Sequence, residues 1–323
     1  MHGYISRYLI FSLSLFVALS CNKYEPIYQQ SSWMTDIHDS TRVCRMSIPG
    51  AHDAATGSMD LLIVSNYAKT QALSVEELWD AGVRAFDFRP ALVDGKLGIY
   101  HDKYSTGTTL SQALNIIIRK LDAQPSDCAV IIIRHESEAD GDNDAWGNAM
   151  AELLESLPSG RIQHSFRPDL RLGDIRGRLL VLSRQEYAES PVGAYIHGWY
   201  SGDSIQRQKS AYIDESPLWI QDYYNPEDID KKWSCFRNLA RDFADNTADV
   251  WCINHCSAYL SEAFGLPNYS ANAASVNLRA SEDAKLLRGI IMMDFAGTDS
   301  YNGKDVYGAR LVSAVISANY TAQ

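Results

Sequence analysis

Three residues in the first third of the chain could together act on a charged phosphate: His52, Arg89 and His101. Each closes a short apolar run that reads as a β-strand. The runs are Met-Ser-Ile-Pro-Gly-Ala-His-Asp over 46–53, Ala-Phe-Asp-Phe-Arg-Pro over 85–90 and Gly-Ile-Tyr-His-Asp over 98–102. In-line phosphoryl transfer calls for two imidazoles flanking a fixed cation. One ring accepts the proton of the attacking hydroxyl, the other protonates the leaving oxygen, and the guanidinium holds the phosphate charge. The trio points to phosphodiester cleavage.

The elements that must carry these side chains follow from apolar patterning. Strand-like runs occur at 43–48, 84–88, 97–100, 128–133, 179–183, 218–221, 250–254 and 289–293. Residues 129–133 and 290–293 are apolar throughout, as in strands of a parallel sheet covered on both faces. Helical patterns alternate with them. Ser74-Val-Glu-Glu77 reads as a capping box opening a helix to about Ala81. Residues 109–122 place Leu110, Ala113, Leu114, Ile117 and Leu121 on one stripe. Further helices are expected over 144–157, 226–244, 281–288 and 307–317. Eight strands in alternation predict a single-domain α/β fold, a (β/α)8 TIM barrel. It is distorted at one place, because the 90–96 link between the second and third strands is too short for a crossover helix.

In such a barrel the C-terminal strand ends meet at one mouth, where active sites of this fold lie. The polar residues there form a set: His52 and Asp53 after the first strand, Arg89 after the second, His101 after the third. Arg134 and Glu136 follow the fourth, Arg184 the fifth, Asp222 and Tyr224 the sixth, Asn254 and His255 the seventh, and Asp294 the eighth. Asp87, two residues before Arg89, shares its interior face.

Composition narrows the partners. With 46% hydrophobic and 21% charged residues the chain is ordinary for a globular protein. A net charge of −11 and the absence of a basic block argue against nucleic acid, and against broad attraction to anionic membranes. Membrane contact would be local and apolar. Residues 1–20 hold one Arg, an apolar run and a small-residue end, which reads as a signal peptide. Cys21 follows as in a bacterial lipobox, predicting a lipid-anchored first residue, a 21–32 tether and a catalytic barrel over 33–323. Simple secretion is the alternative. Cys44 and Cys128 lie in apolar runs and read as buried thiols, while Cys235, Cys252 and Cys256 leave one disulfide open. No zinc-site spacing is present.

These residues resemble the X domain of the bacterial phosphatidylinositol-specific phospholipases C. The resemblance runs through Ser-Ile-Pro-Gly-Ala-His-Asp, Phe-Asp-Phe-Arg, Tyr-His-Asp, Ile-Ile-Ile-Arg-His-Glu, Trp-Ile-Gln-Asp-Tyr-Tyr-Asn, Trp-Cys-Ile-Asn-His-Cys-Ser and Met-Met-Asp-Phe, from about Trp33 onward. It implies a distorted barrel lacking the helix between its second and third strands. It also implies cleavage of an inositol phospholipid to diacylglycerol and inositol 1,2-cyclic phosphate. On that resemblance His52 is the general base oriented by Asp294, and His101 the general acid assisted by Asp53. Arg89 stands where calcium-dependent relatives place a metal ligand, which implies catalysis without metal or other cofactor. Asp87, Arg134, Glu136, Arg184, Asp222 and Tyr224 match the inositol-binding positions. Arg134 departs from the expected lysine, adding a planar fork where a point charge is usual. The expected partner is the lipid itself, met by a monomer in peripheral contact with a membrane.

Plainer readings stand beside these. His135, His164 and His197 read as structural or exposed. Arg89 could pair with Asp87 or Asp94, Asp294 could cap the following segment, and the rim charges could form an ion network. Trp199 and Tyr200 could dip into a bilayer or pack on the barrel. A glycerophosphodiester phosphodiesterase is disfavoured because its His-Arg-Gly start and Glu-x-Asp pair are missing. A non-catalytic inositol-lipid binding module would need a broken catalytic set, whereas all the expected positions are filled.

Overall fold

Strands with no polar face must be covered on both sides, and several such strands join others here, among the described residues, in a closed barrel of nine. The structure, a computed structural model, describes residues 30–59, 65–164, 166–199, 208–261 and 265–320. In chain order the strands are β1 (Ser47–Ala51), β2 (Ala85–Phe88), β3 (Pro90–Val93), β4 (Lys96–His101), β5 (Tyr104–Thr109), β6 (Ala129–Ile133), β7 (Leu179–Ser183) and β8 (Ala194–His197). They continue with β9 (Gln208–Ile213), β10 (Ser216–Gln221), β11 (Trp251–His255), a short ribbon of β12 (Leu260–Ser261) and β13 (Pro267–Asn268), and β14 (Gly289–Met293). The closed barrel runs β1-β14-β11-β10-β9-β8-β7-β6-β2. Its pairings are parallel except where β9 runs antiparallel to both β8 and β10. β6, β7, β11 and β14 are buried at every residue, β6 and β14 as their unbroken apolar runs require.

The barrel class stands, but its staves differ from the eight expected. The 97–100 run is not a stave. It lies in β4, the middle strand of a three-stranded antiparallel sheet, β3-β4-β5, outside the barrel. Asp94 and Gly95 link β3 to β4 with φ of 50° and 71°, the left-handed pair that a two-residue hairpin demands. The excursion returns His101 to the mouth, because the Tyr100 amide donates to the Arg89 carbonyl at 2.9 Å. The distortion does not lie where the 90–96 link suggested: the helix Leu110–Ala123 follows this sheet and gives the neighbouring staves β2 and β6 their crossover, whereas β7 and β8 are parallel staves joined without a helix among the described residues. The extra staves are β8 and β9, whose runs are short and mixed in polarity.

The first strand also starts later than the 43–48 run. Residues Val43–Arg45 form a turn of 3-10 helix, and the strand takes in Pro49 and Gly50. That pair reads as a strand breaker, yet a Cβ on Gly50 would lie 2.3 Å from the Met292 sulfur. β1 approaches β14 that closely only because the side chain is absent.

Two helices begin at reciprocal capping boxes. Ser74 and Glu77 make the reciprocal box ahead of Val75–Asp80, and Thr109 and Gln112 repeat it ahead of Leu110–Ala123. The helix expected over 281–288 shrinks to a 3-10 turn at Ala284–Leu286, and the true helix is Tyr269–Ser281. Its buried stripe of Tyr269, Asn272, Ala273, Val276, Asn277 and Ala280 carries little hydrophobic signal. The amide nitrogens of the two asparagines bond to backbone instead: Asn272 donates to the Cys256 carbonyl, Asn277 to those of Asp294 and Val306.

Packing starts earlier than the tether boundary implies. Gln30 donates to the Ala81 carbonyl, and Trp33 and Met34 are fully buried. Cys21 and the leader lie outside the described residues. Cys44, Cys128, Cys235, Cys252 and Cys256 are all buried, and no disulfide joins any of them.

Candidate active site

The mouth of the barrel holds a polar pocket of about 220 Å³ lined by His52, Arg89, His101, Arg134, Arg184, Asp222, Tyr224, Ala258, Tyr259 and Tyr269. The other residues singled out from strand ends sit directly behind this lining. Asp53, Asp87 and Glu136 surround Arg89, and Asp294 backs His52.

His52 follows β1, and its backbone is fixed from several sides. Its amide donates to the Met293 carbonyl, while its own carbonyl accepts from Thr70 and Gln71. Gln71 also donates to the Met293 carbonyl, tying the ends of β1 and β14 together. The imidazole Nδ1 donates to Asp294 Oδ1 at 2.9 Å, and Asp294 Oδ2 accepts from the Ala258 amide at 3.2 Å. This fixes the ring and leaves Nε2 facing the pocket's charges: Arg89 at 2.9 Å and Asp53 Oδ2 at 3.3 Å.

Asp53 is the hub. With φ at 45° its backbone turns out of the strand direction, a conformation Asp tolerates better than most residues. Its carboxylate contacts the Arg89 Nε and lies 3.5 Å from His101 Nε2. Both imidazole Nε2 atoms therefore reach the same carboxylate oxygen, Asp53 Oδ2. Arg89 sits among Asp53, Asp87 (3.5 Å) and Glu136 (3.8 Å), so its partners include Asp87 but not Asp94.

Electrostatics separates the two rings. Burial alone would lower the His52 pKa, but the Asp53 and Asp294 carboxylates outweigh it and raise it to about 9. Burial likewise lowers His101, and there it prevails over the pull of Asp53. Arg89 opposes the charging of His52, since a guanidinium donating to Nε2 requires a neutral ring. In the free site the carboxylates and Arg89 thus compete over one proton. Burial would raise Asp53, yet Arg89 and the histidines hold it down at about 2. Glu136 is pushed up to about 8, chiefly by burial.

His135, His52, Asp53 and Asp87 need separate placing. His52, Asp53 and Asp87 converge closely enough to hold a cation among the described residues. The Arg89 guanidinium lies against those two carboxylates and donates to that imidazole. His135 is structural as expected: it bonds Asp140 and stacks on Trp146 with ring centres 4.4 Å apart.

Across the pocket, Arg184 lies over the Trp199 ring at 4.1 Å, and the Trp199 indole donates to Asp222 at 3.0 Å. Trp199 therefore faces inward, against the site; Tyr200 lies outside the described residues. His255, expected to support its loop, does bond Ser257, but its ring also meets His52 and Trp199 edge-on. Burial pushes it down to about 3, so it is neutral. Lys232, wholly buried on the helix Ile229–Ala244, donates to Gln221 Oε1 and the Tyr223 carbonyl beneath Asp222. Tyr259, Tyr269, Gln71, Thr70 and Lys232 escaped the sequence reading. Only the tyrosines left a signal, as aromatics in the segment after β11.

A barrel mouth that sets two imidazoles and a guanidinium around one carboxylate brings together groups able to move protons and to hold a phosphate charge. Comparison with known proteins narrows this. The chain is 26% identical over 278 residues to the 1-phosphatidylinositol phosphodiesterase of Listeria monocytogenes, covering 81% of this chain and 80% of that one. It is 24% identical over 304 residues to the enzyme of that name from Staphylococcus aureus strain Newman, covering 89% and 94%. Among solved structures, a mutant phosphatidylinositol-specific phospholipase C from Staphylococcus aureus matches with a TM-score of 0.75 at 20% identity, covering 88% of this chain and 98% of that one. The Listeria monocytogenes enzyme matches with a TM-score of 0.64 at 22% identity, covering 90% and 98%. No family model matches the chain. The chain is thus related along most of its length to the bacterial phosphatidylinositol-specific phospholipases C, the resemblance its motifs carry.

Proposed function

We propose that this protein is a phosphatidylinositol-specific phospholipase C that releases diacylglycerol and inositol 1,2-cyclic phosphate without a metal. The observation that carries this reading is the meeting of His52 Nε2, His101 Nε2 and Arg89 at the single carboxylate of Asp53. A diester phosphorus placed over Arg89 would have one imidazole on each side. His52 Nε2 takes the proton of the inositol 2-hydroxyl as its oxygen attacks phosphorus, and Asp294 stabilises the imidazolium formed. His101 gives its Nε2 proton to the glycerol oxygen as that bond breaks. Its other nitrogen, Nδ1, donates to the Ala68 carbonyl at 2.6 Å, which keeps the ring facing inward. Arg134, Arg184, Asp222 and Tyr224 line the rest of the pocket and suit a ring of hydroxyls. Asp87 and Glu136 serve this reading indirectly, as carboxylates that hold Arg89 in place.

The test is turnover by the full chain on phosphatidylinositol vesicles, followed by phosphorus NMR, with and without EDTA. Inositol 1,2-cyclic phosphate should appear first, at a rate the chelator leaves unchanged. Loss of activity with EDTA and its return with calcium would refute the role given to Arg89.

The opposed imidazole shifts set a pH dependence. Turnover needs His52 neutral and His101 charged, a combination whose population is level between the two pKa values and falls on either side. The acid limb then belongs to His101, below its ordinary 6.5, and the alkaline limb to His52, near 9. Asp294→Asn removes a carboxylate that raises His52. The alkaline limb should move to lower pH while the acid limb stays, and an unmoved alkaline limb would remove Asp294 from its role.

For location, the leader and Cys21 support export with a lipid anchor at the cell envelope, and simple secretion is the other outcome. Among the described residues no helix is long and apolar enough to cross a membrane. Metabolic labelling with a fatty acid, compared between the full chain and Cys21→Ala, tests the anchor. The same reading takes the protein as a monomer in peripheral contact with the lipid surface.

A further inference from the structure

The Tyr269 hydroxyl lies 3.4 Å from His101 Nε2, and the ring is almost wholly buried in the pocket wall. It comes from the first turn of the helix Tyr269–Ser281, whose N-cap is Asn268, and its own neighbour on the pocket side is Tyr259. The groups facing His101 are otherwise Asp53, Arg89, His52 and the Ala68 carbonyl. Of these, none is a neutral donor to the leaving oxygen. Asp53 and the carbonyl can only accept, and Arg89 and His52 are engaged with phosphate and nucleophile.

We propose that Tyr269 is a catalytic residue, a second hydrogen-bond donor to the leaving glycerol oxygen beside His101. The inference rests on the phospholipase C reading and adds a residue to it. An oxygen receiving the His101 proton must sit within hydrogen-bond distance of Nε2, and a hydroxyl 3.4 Å from that nitrogen reaches the same point. In the free protein Tyr269 donates to the Nε2 lone pair, since Nδ1 carries the ring proton given to Ala68. With substrate bound, its hydrogen bond passes to the oxygen on which charge develops. The bond from the inositol oxygen to phosphorus forms and its proton goes to His52. The bond from phosphorus to the glycerol oxygen breaks, and that oxygen takes the proton of His101. Tyr269 keeps its own proton throughout, and burial pushes its phenol well above its ordinary pKa, so it stays a donor across the working range.

The leaving group tests this. Tyr269→Phe should be assayed on phosphatidylinositol, which expels an alkoxide, and on p-nitrophenyl inositol phosphate, which expels a stable phenolate. Removing a donor aimed at developing charge costs about 10²-fold in kcat on the lipid, the low end of what such donors supply. The aryl substrate, which needs no donor at that oxygen, should be turned over at close to the wild-type rate. Equal losses on both substrates would mean a packing role, no loss on either would mean no role, and each result overturns the proposal. A wild-type protein inactive on both substrates overturns the phospholipase C reading itself, and Tyr269's role with it.

Discussion

His52→Ala and His101→Ala should each lower phosphatidylinositol turnover by about a thousandfold, the scale on which positioned acids and bases act. The two losses should differ in kind. Without His52 nothing accepts the 2-hydroxyl proton, so the lipid and the nitrophenyl diester suffer alike. Without His101 only the alkoxide leaves unprotonated, so the nitrophenyl diester should keep most of its rate. The geometry gives the reason for this asymmetry. His52 is locked by Asp294 at 2.9 Å behind it and faces Arg89, where phosphate charge would lie. His101 hangs from the Ala68 carbonyl at the end of an excursion outside the barrel and reaches the same Asp53 oxygen that His52 faces. Rates with both substrates for both variants check the assignment. Wild-type activity in either variant, or a His101→Ala enzyme equally poor on both substrates, would reverse it.

What the sequence made legible is what apolar patterning and strand-end polarity can encode. β6, β7 and β14 were readable because strands buried on both faces have nowhere to hide a polar residue. Their following residues, Arg134, Arg184 and Asp294, then fell at the mouth without further argument. Hidden elements have a common cause. β1 is disguised by Pro49 and Gly50, which a close strand contact requires but which read as a break. The helix Tyr269–Ser281 is disguised by buried asparagines whose partners are carbonyls far away in sequence. The β3-β4-β5 sheet was visible only as a missing helix, since a short strand outside a barrel and a stave have the same local pattern. Gln71 and Tyr269 were missed for the same reason. Each acts on the site through a partner at long sequence separation, Gln71 through Met293 across 222 positions and Tyr269 through His101 across 168, where no spacing rule reaches.

Arg89→Gln should reduce kcat/KM by about 10²- to 10³-fold, as expected for losing a fixed charge at a developing phosphorane. Unlike Tyr269→Phe or His101→Ala, this loss should be the same on the lipid and the nitrophenyl diester, because both present the same phosphate. Arg89 is a cation among Asp53, Asp87 and Glu136, and without it the pocket floor carries carboxylates that repel an anionic diester. Glutamine keeps a donor near His52 but no charge, so the variant separates electrostatics from hydrogen bonding. A second readout has a fixed sign. Arg89 lowers the His52 pKa, so its removal should carry the alkaline limb to higher pH, opposite to the shift from Asp294→Asn. If Arg89→Gln spared the nitrophenyl diester, or left the alkaline limb where it was, the guanidinium would not be reading phosphate. The meeting of the two imidazoles over Asp53 would then need another electrophile to act on.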